Sequence, residues 1–240
     1  MIDLNKLKVK IFLDTANLQA IKTSLQKYPF IKGFTTNPSL MHKEGVKNYE
    51  QYCKEALRIS SNLPISFEVF SDDIKKMEDE ARIINSWGGN SYVKIPITNT
   101  KKESSKELIK RLAEKKVKLN ITAIMTLDQV KTVVSVLNDN VPSIISVFAG
   151  RIADTGRNPI PLMEDCLKEM KINSKSELLW ASTRELLNVL QADQIGCHII
   201  TVPRDIIKKL QLIDYNLEDY SLDTVKTFYK DAADANFKIK

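Results

Sequence analysis

The chain has 240 residues and carries 36 basic and 30 acidic side chains, for a formal net charge of +6. A hydrophobic content of 43% and a charged content of 28% are typical of a globular protein and exclude a disordered or fibrous chain. Three scattered cysteines and two histidines, none at metal-ligand spacing, argue against a disulfide framework and a structural zinc site.

Short runs rich in Val, Ile and Phe alternate with amphipathic segments, a pattern typical of βα units. Strands are predicted near residues 10–14, 31–36, 65–70, 91–97, 118–124, 143–149, 177–182 and 197–202. Helices are predicted near 18–28, 49–61, 73–87, 101–116, 127–138, 159–171, 184–192 and 204–210, with a further helix near 221–236. Eight units of about 30 residues predict one domain over 1–240, a (β/α)8 TIM barrel with an additional C-terminal helix. An open dinucleotide-binding sheet is disfavoured, because the first strand ends in FLDTANL without a glycine-rich loop.

Polar side chains stand at the ends of the predicted strands, where barrels carry their catalytic groups. In chain order they are Asp14, Thr35, Thr36, Asn37, Glu68, Lys94, Asn120, Thr122, Ser146, Arg151, Ser182, Arg184 and Thr201, and the aromatic Phe148 lies between Ser146 and Arg151. Barrel interiors are normally filled with Val, Ile and Leu, so a polar cluster at one end predicts a site. The alternative is that Asp14, Glu68 and Lys94 form a buried ion-pair network.

Lys94 lies among Tyr92, Val93 and Ile95, and such an apolar setting favours the neutral, nucleophilic amine. A neutral amine attacks a carbonyl and forms a Schiff base, which makes an adjacent carbon–carbon bond breakable. Asp14 is the candidate base for that cleavage. Glu68 with Thr122 is suited to moving protons through a water molecule. This chemistry requires neither a metal nor a cofactor.

Two arginines beside hydroxyl groups predict a phosphate site. Arg151 follows the sixth strand, and Ser182 and Arg184 follow the seventh. The planar fork of arginine matches phosphate oxygens, and barrels often bind phosphate near their last strands. The alternative is that each arginine pairs with a surface carboxylate such as Asp154 or Glu185.

Several segments together resemble the transaldolase family, in the family's order and on the same strands. They are FLDTAN (12–17), GFTTNPS (33–39), YVKIP (92–96), NITAI (120–124), SVFAGRI (146–152) and WASTR (180–184). GCHIITVP (196–203) resembles the eighth-strand segment of the family's short-chain branch, which includes fructose-6-phosphate aldolases. The resemblance covers about residues 11–236. It implies a class I aldolase, in which a lysine forms the Schiff base.

The resemblance also implies roles for individual residues. Lys94 would form the Schiff base, Asp14 would be the acid/base for cleavage, and Glu68 with Thr122 would hold the catalytic water. Asn37, Asn120 and Ser146 would bind the dihydroxyacetone hydroxyls, and Arg151, Ser182 and Arg184 would bind the phosphate. Thr36 and Phe148 complete the predicted substrate-binding positions.

Two positions separate the branches of the family, since the aldolases carry glutamine at the position of Glu68 and tyrosine at that of Phe148. The chain therefore resembles transaldolases, which pass a dihydroxyacetone unit from a ketose phosphate to an aldose phosphate in the pentose phosphate pathway. Three alternatives stay open. They are an aldolase that releases free dihydroxyacetone, a specialised transaldolase for a modified sugar, and a catalytically silent barrel that binds sugar phosphates.

The expected partners are small sugar phosphates. Most of the 29 lysines lie beside acidic residues in helical patterns such as 101–116, which argues against a nucleic-acid partner. No apolar run approaches the roughly 18 residues of a membrane span, and we expect a cytoplasmic protein. The resemblance implies ring-like pentamers or decamers in which the helix at 221–236 takes part. The polar loop 153–162, with Arg157, either starts a helix or contacts the substrate.

Overall fold

The computed structural model describes residues 4–239, whose eight strands close into a parallel barrel in chain order. The strands are β1 (Lys10–Asp14), β2 (Ile31–Thr35), β3 (Ile65–Glu68), β4 (Ser91–Pro96), β5 (Leu119–Ile124), β6 (Ser143–Val147), β7 (Ser176–Trp180) and β8 (Ile199–Pro203). The barrel closes because β8 pairs with β1, with Ile199 opposite Lys10. The predicted (β/α)8 barrel with a C-terminal helix is confirmed.

Eleven α-helices are present in the described part of the chain. They are α1 (Leu18–Lys27), α2 (Pro38–Lys43), α3 (Tyr49–Ile59), α4 (Ile74–Ser86), α5 (Lys106–Glu114), α6 (Leu127–Val134), α7 (Ala149–Ala153), α8 (Ile160–Met170), α9 (Leu187–Gln194), α10 (Arg204–Lys209) and α11 (Leu217–Asp234). Single 3₁₀ turns lie at Leu4–Lys6 and Leu210–Leu212. Within residues 4–239 no helix is both long and apolar enough to cross a membrane.

Some predicted boundaries are wrong for local reasons. The helix expected from residue 101 begins at Lys106, because Thr98 and Ser104 form a bridge around a turn whose amides bond to Asn99. The last helix begins at Leu217 rather than near residue 221, because the Asn216 side chain accepts hydrogen bonds from its first turn. Short helices such as α2 and α7 carry too little periodicity to be predicted.

The core has two layers, because side chains alternate across each strand. The larger layer lies between the strands and the helices. A smaller cluster inside the barrel contains Phe12, Tyr92, Ile144, Leu179 and Ile199 and closes one end of it. Gly33 of β2 makes room for this layer, since a Cβ there would lie 2.6 Å from the ring of Phe12. The apolar floor leaves only the carboxyl end of the barrel interior for polar side chains.

Candidate active site

A cavity of about 230 Å³ opens above this floor, at the carboxyl ends of the strands. The structure places nine predicted site residues in its wall, namely Asp14, Asn37, Lys94, Thr122, Ser146, Phe148, Arg151, Ser182 and Arg184. Three others, Thr36, Glu68 and Asn120, lie just behind the wall and contact residues beside it. The strand ends thus bring the predicted set together in one place.

Lys94 forms a buried ion pair in the middle of this site. Its Nζ lies 3.1 Å from Oε2 of Glu68 and donates a hydrogen bond of 3.0 Å to the carbonyl oxygen of Thr36. The side chains of Lys94 and Glu68 are only 9% and 17% exposed. Of the three-residue network in the ion-pair alternative, the Lys94–Glu68 pair is present at the cavity, while the side chain of Asp14 bonds to Thr35 instead.

The neighbours of Lys94 on β4 lie on both faces of the strand, and Tyr92 shares the inner face with Lys94. Val93 and Ile95, its neighbours in sequence, pack in the outer core, because successive side chains of β4 point to opposite faces. Lys94 itself faces the barrel interior, where its Nζ lies 3.1 Å from Glu68. Formation of a neutral amine therefore requires proton transfer, and Glu68 is the acceptor within reach.

Asp14 faces the same cavity from β1. Its Oδ1 accepts a hydrogen bond of 2.7 Å from the hydroxyl of Thr35, which in turn contacts the hydroxyl of Thr201. Burial raises the pKa of Asp14, while the Thr35 hydrogen bond and the charge of Lys94 oppose that rise and Glu68 adds to it. A buried carboxyl with a raised pKa exchanges protons more readily near neutral pH than an exposed one. Both threonines lie at predicted strand ends, where the sequence pattern alone indicates no role for them.

A buried chain of hydrogen bonds supports the far wall. Ser146 donates to Oδ1 of Asn120 over 2.7 Å, and Nδ2 of Asn120 donates to the hydroxyl of Ser66 over 2.9 Å. Thr36 donates to the carbonyl oxygen of Ser66 over 2.9 Å. Sequence analysis missed Ser66, although its place two residues before Glu68 on β3 puts both side chains on the same face.

Thr122 and Asn37 each keep a polar group that could bind a ligand. The hydroxyl of Thr122 is buried at the cavity and has no hydrogen-bond partner among residues 4–239. Such a group remains available to a substrate or a water molecule. The side-chain oxygen of Asn37 caps α2 by accepting from the amide of Leu40 over 2.9 Å, so its NH2 group is the part left for a ligand.

The predicted phosphate residues lie where α7 and the loop after β7 pack closely together. Gly150 permits this approach, because a Cβ there would lie 1.6 Å from the carbonyl oxygen of Ser182. Ser182 itself has a φ of +65°, a left-handed conformation that is costly for residues with a side chain. Arg151 lies over the ring of Phe148, 5.2 Å from its centroid. Gly150 belongs to the SVFAGRI segment but was not predicted as a site residue.

The surface-pair alternative holds for one of the two arginines. Arg184 contacts Asp154 through Nε–Oδ1 and Nη2–Oδ2 distances of 3.1 and 2.5 Å. Arg157 is exposed and donates to Thr155 of its own loop, and it does not line the cavity. The polar segment 153–162 leads into α8, which has Pro159 as its N-cap and Pro161 in its first turn.

The fold and the site together define a TIM-barrel protein with a buried lysine–carboxylate pair at the catalytic end of its strands. Residues 11–239 match the family described as Transaldolase/Fructose-6-phosphate aldolase. The chain therefore belongs to this family, as the segment resemblance predicted.

Relatives of similar length support this assignment. A "Probable transaldolase" of Clostridioides difficile is 33% identical over 232 residues, which cover 96% of this chain and 100% of that protein. A "Probable transaldolase" of Thermoplasma acidophilum is 34% identical over 206 residues, covering 84% and 87%. The chain is thus an enzyme of the transaldolase/aldolase type.

Solved structures support the fold alone. The 3-hexulose-6-phosphate synthase of Salmonella typhimurium matches with a TM-score of 0.55 at 15% identity, over 81% of this chain and 89% of that one. The N-acetylneuraminate lyase of Mycoplasma synoviae matches with a TM-score of 0.54 at 9% identity, over 95% and 80%.

Proposed function

We propose that the protein is a transaldolase that forms a Schiff base on Lys94 with a ketose phosphate. The observation that carries the proposal is the buried pair of Lys94 and Glu68, placed in the same polar end of the barrel as Asp14. The pair supplies a nucleophile with its own proton acceptor, and Asp14 supplies a separate acid/base. Two carboxyls with different surroundings suit a reaction with two kinds of proton transfer.

The first half-reaction begins when Lys94 gives a proton to Glu68 and its amine attacks the C2 carbonyl of the ketose. Glu68 then returns its proton to the hydroxyl group of the carbinolamine, through a bound water molecule held with Thr122. The protonated hydroxyl leaves as water, and the iminium remains. Asp14 then removes the proton of the C4 hydroxyl. The C3–C4 bond breaks and an aldose phosphate leaves. The electrons of that bond convert the iminium into an enamine.

The second half-reaction reverses these steps with a new acceptor. The enamine carbon attacks the aldehyde of another aldose phosphate, and Asp14 returns its proton to the resulting alkoxide. Water hydrolyses the iminium and releases Lys94. The raised pKa of Asp14 suits a group that both takes and returns a proton in one turnover.

Substrate binding divides between the two sides of the cavity. We assign Asn37 and Ser146 to the hydroxyls of the dihydroxyacetone unit, with Thr36 and Asn120 holding the wall behind them. Arg151 lies over the ring of Phe148. Together with Ser182 and Arg184 it lines the end of the cavity that we assign to the phosphate. Small sugar phosphates are therefore the proposed substrates.

Transfer is favoured over simple cleavage by the carboxylate at position 68 and the phenyl ring at 148. A phenol at 148 would add a further proton donor to Glu68 and Asp14, and its absence leaves fewer groups that could protonate the enamine and release the three-carbon unit. An aldolase that releases free dihydroxyacetone uses the same site and is the second candidate, and a preference for a modified sugar is the third.

Borohydride trapping tests the Schiff base. Reduction in the presence of fructose 6-phosphate should add a three-carbon or six-carbon unit to the peptide that contains Lys94, and Lys94→Met should abolish the addition. A catalytically silent binding protein would gain no covalent mass. Addition that persists in Lys94→Met would overturn the assignment.

The acceptor distinguishes the two enzymes. With fructose 6-phosphate as donor, we expect fast product formation only when erythrose 4-phosphate is present. Release of free dihydroxyacetone at a comparable rate without the acceptor would favour the aldolase. A panel of aldose acceptors, modified sugars included, would then define the specificity.

A further inference from the structure

Arg184 already has an anionic partner at the proposed phosphate end. Two nitrogens of its guanidinium, Nε and Nη2, contact the two oxygens of Asp154, although the residues are 30 positions apart in sequence. Arg151 differs, since it lies against Phe148 and takes part in no ion pair among residues 4–239. The two arginines of the cavity thus have different electrostatic surroundings.

The backbone holds the Arg184–Asp154 pair from both sides. The amide of Arg184 donates to Oδ1 of Asn188 over 3.0 Å, which fixes the start of the side chain. The stem then passes Gly150, where an added Cβ would lie 3.2 Å from its Cγ. Asp154 stands one turn further along, and its amide donates to the carbonyl oxygen of Gly150 over 2.9 Å. The pair is therefore built into the loop crossing and is not a chance contact of two free side chains.

The paired carboxylate has a direct consequence for an anionic ligand. A phosphate dianion meets one net positive charge from Arg151, Arg184 and Asp154 together, where two unpaired arginines would present two. The bidentate contact also occupies the face of the guanidinium that best matches phosphate oxygens. Because the side chains are about half exposed, at 48% and 51%, the pair lies where substrate and solvent reach it.

We propose that Asp154 determines specificity by competing with phosphate for Arg184. The inference rests on the proposed function, because it assumes that the substrate's phosphate binds beside Arg151 and Arg184. Asp154 weakens the binding of phosphorylated sugars and leaves the binding of sugars with an uncharged terminus unchanged. The enzyme consequently prefers phosphorylated sugars over uncharged ones less strongly than it would with the two arginines alone.

The variant Asp154→Asn tests the proposal, because it keeps the side-chain shape and removes the charge. We expect KM for fructose 6-phosphate to fall roughly three- to tenfold, as removal of one nearby like charge at a solvent-exposed site predicts. The kcat should change by less than about twofold, and kcat/KM for unphosphorylated fructose should stay constant. Asp165→Asn is the matched control, since Asp165 forms a surface pair with Lys168 outside the cavity.

Direct binding of inorganic phosphate gives a readout that does not depend on catalysis. Calorimetry should show tighter phosphate binding in Asp154→Asn than in the wild type, and no change in Asp165→Asn. A higher KM for fructose 6-phosphate in Asp154→Asn would show that Asp154 orients Arg184 and would overturn the proposal, as would an unchanged KM or an equal change for fructose. The trapping experiment on Lys94 fails or succeeds independently, so the two proposals are distinguishable.

Discussion

Asp14 is the residue whose environment differs most from that of an ordinary aspartate. Burial opposes its ionisation and raises its pKa, and the hydrogen bond from Thr35 and the charge of Lys94 offset only part of that effect. Asp14 is therefore costly to the folded state when it is ionised. In the proposed mechanism this cost is useful, because it leaves the carboxylate a stronger base than one on the surface.

Asp14→Asn should consequently separate activity from stability. We expect kcat for transfer to fall by about 10²- to 10⁴-fold, while borohydride reduction with fructose 6-phosphate still labels Lys94. Below about pH 3.8 the carboxyl is protonated in the folded and unfolded states alike, so there its ionisation should not change the stability of the wild type relative to Asp14→Asn. As pH rises through the folded-state pKa the wild type alone loses stability, so at pH 7 the variant should melt at the same or a higher temperature.

Two measurements check this prediction. Thermal melts from pH 4 to pH 8 should show the melting temperature of Asp14→Asn rising relative to that of the wild type. The acidic limb of kcat/KM in the wild type should lie above the usual range of an aspartate. A variant that melts well below the wild type at pH 7 would show that the ionised carboxylate stabilises the fold.

At the scale of elements, the strands could be predicted and the loops between them could not. Alternation along β3, β4 and β5 placed Glu68, Lys94 and Asn120 on one face, because a two-residue period follows from strand geometry. Ser66 was missed, since its role depends on Asn120, which lies 54 positions away. The Arg184–Asp154 pair was one of two alternatives, and only the loop crossing decides between them.

Gly150 is the most consequential residue of that crossing. Gly150→Ala would place a Cβ 1.6 Å from a backbone oxygen, so α7 and the β7–α9 loop must move apart. We expect a loss of about 1–3 kcal/mol in the free energy of unfolding and at least a tenfold rise in KM for fructose 6-phosphate, because a displacement of about 1 Å disrupts a phosphate site.

The control is Gly156→Ala, where the added methyl group meets nothing within 4 Å but φ is +78°. It should cost about 1–2 kcal/mol through backbone strain alone and leave KM unchanged. Urea unfolding and steady-state kinetics on both variants check the prediction. An equal rise in KM in both would mean that general loosening of the segment, and not the collision at Gly150, disturbs the site.

At the scale of the whole molecule, α11 is the element without a place in the barrel. None of its side chains is buried by residues 4–239, although several are large and apolar. At least half of the surface is exposed in each of Leu222, Val225, Phe228 and Tyr229. Large apolar side chains exposed together on one helix are typical of protein–protein interfaces. Together with the ring-like assemblies implied by the family resemblance, it supports the proposal that the protein is a homo-oligomer held by this helix.

The double variant Val225→Lys/Phe228→Ser tests the proposal. Sedimentation velocity at micromolar concentration should give a wild-type mass that is a multiple of five chains, and the double variant should sediment as a smaller species because charged and polar groups interrupt the apolar surface. Asp231→Asn, a polar change on the same helix, should leave the mass unchanged. Since the strand ends of one barrel supply all the proposed catalytic residues, the dissociated variant should retain labelling of Lys94 by borohydride. A monomeric wild type would contradict the proposal, and loss of labelling in the dissociated variant would show that assembly holds the site in shape.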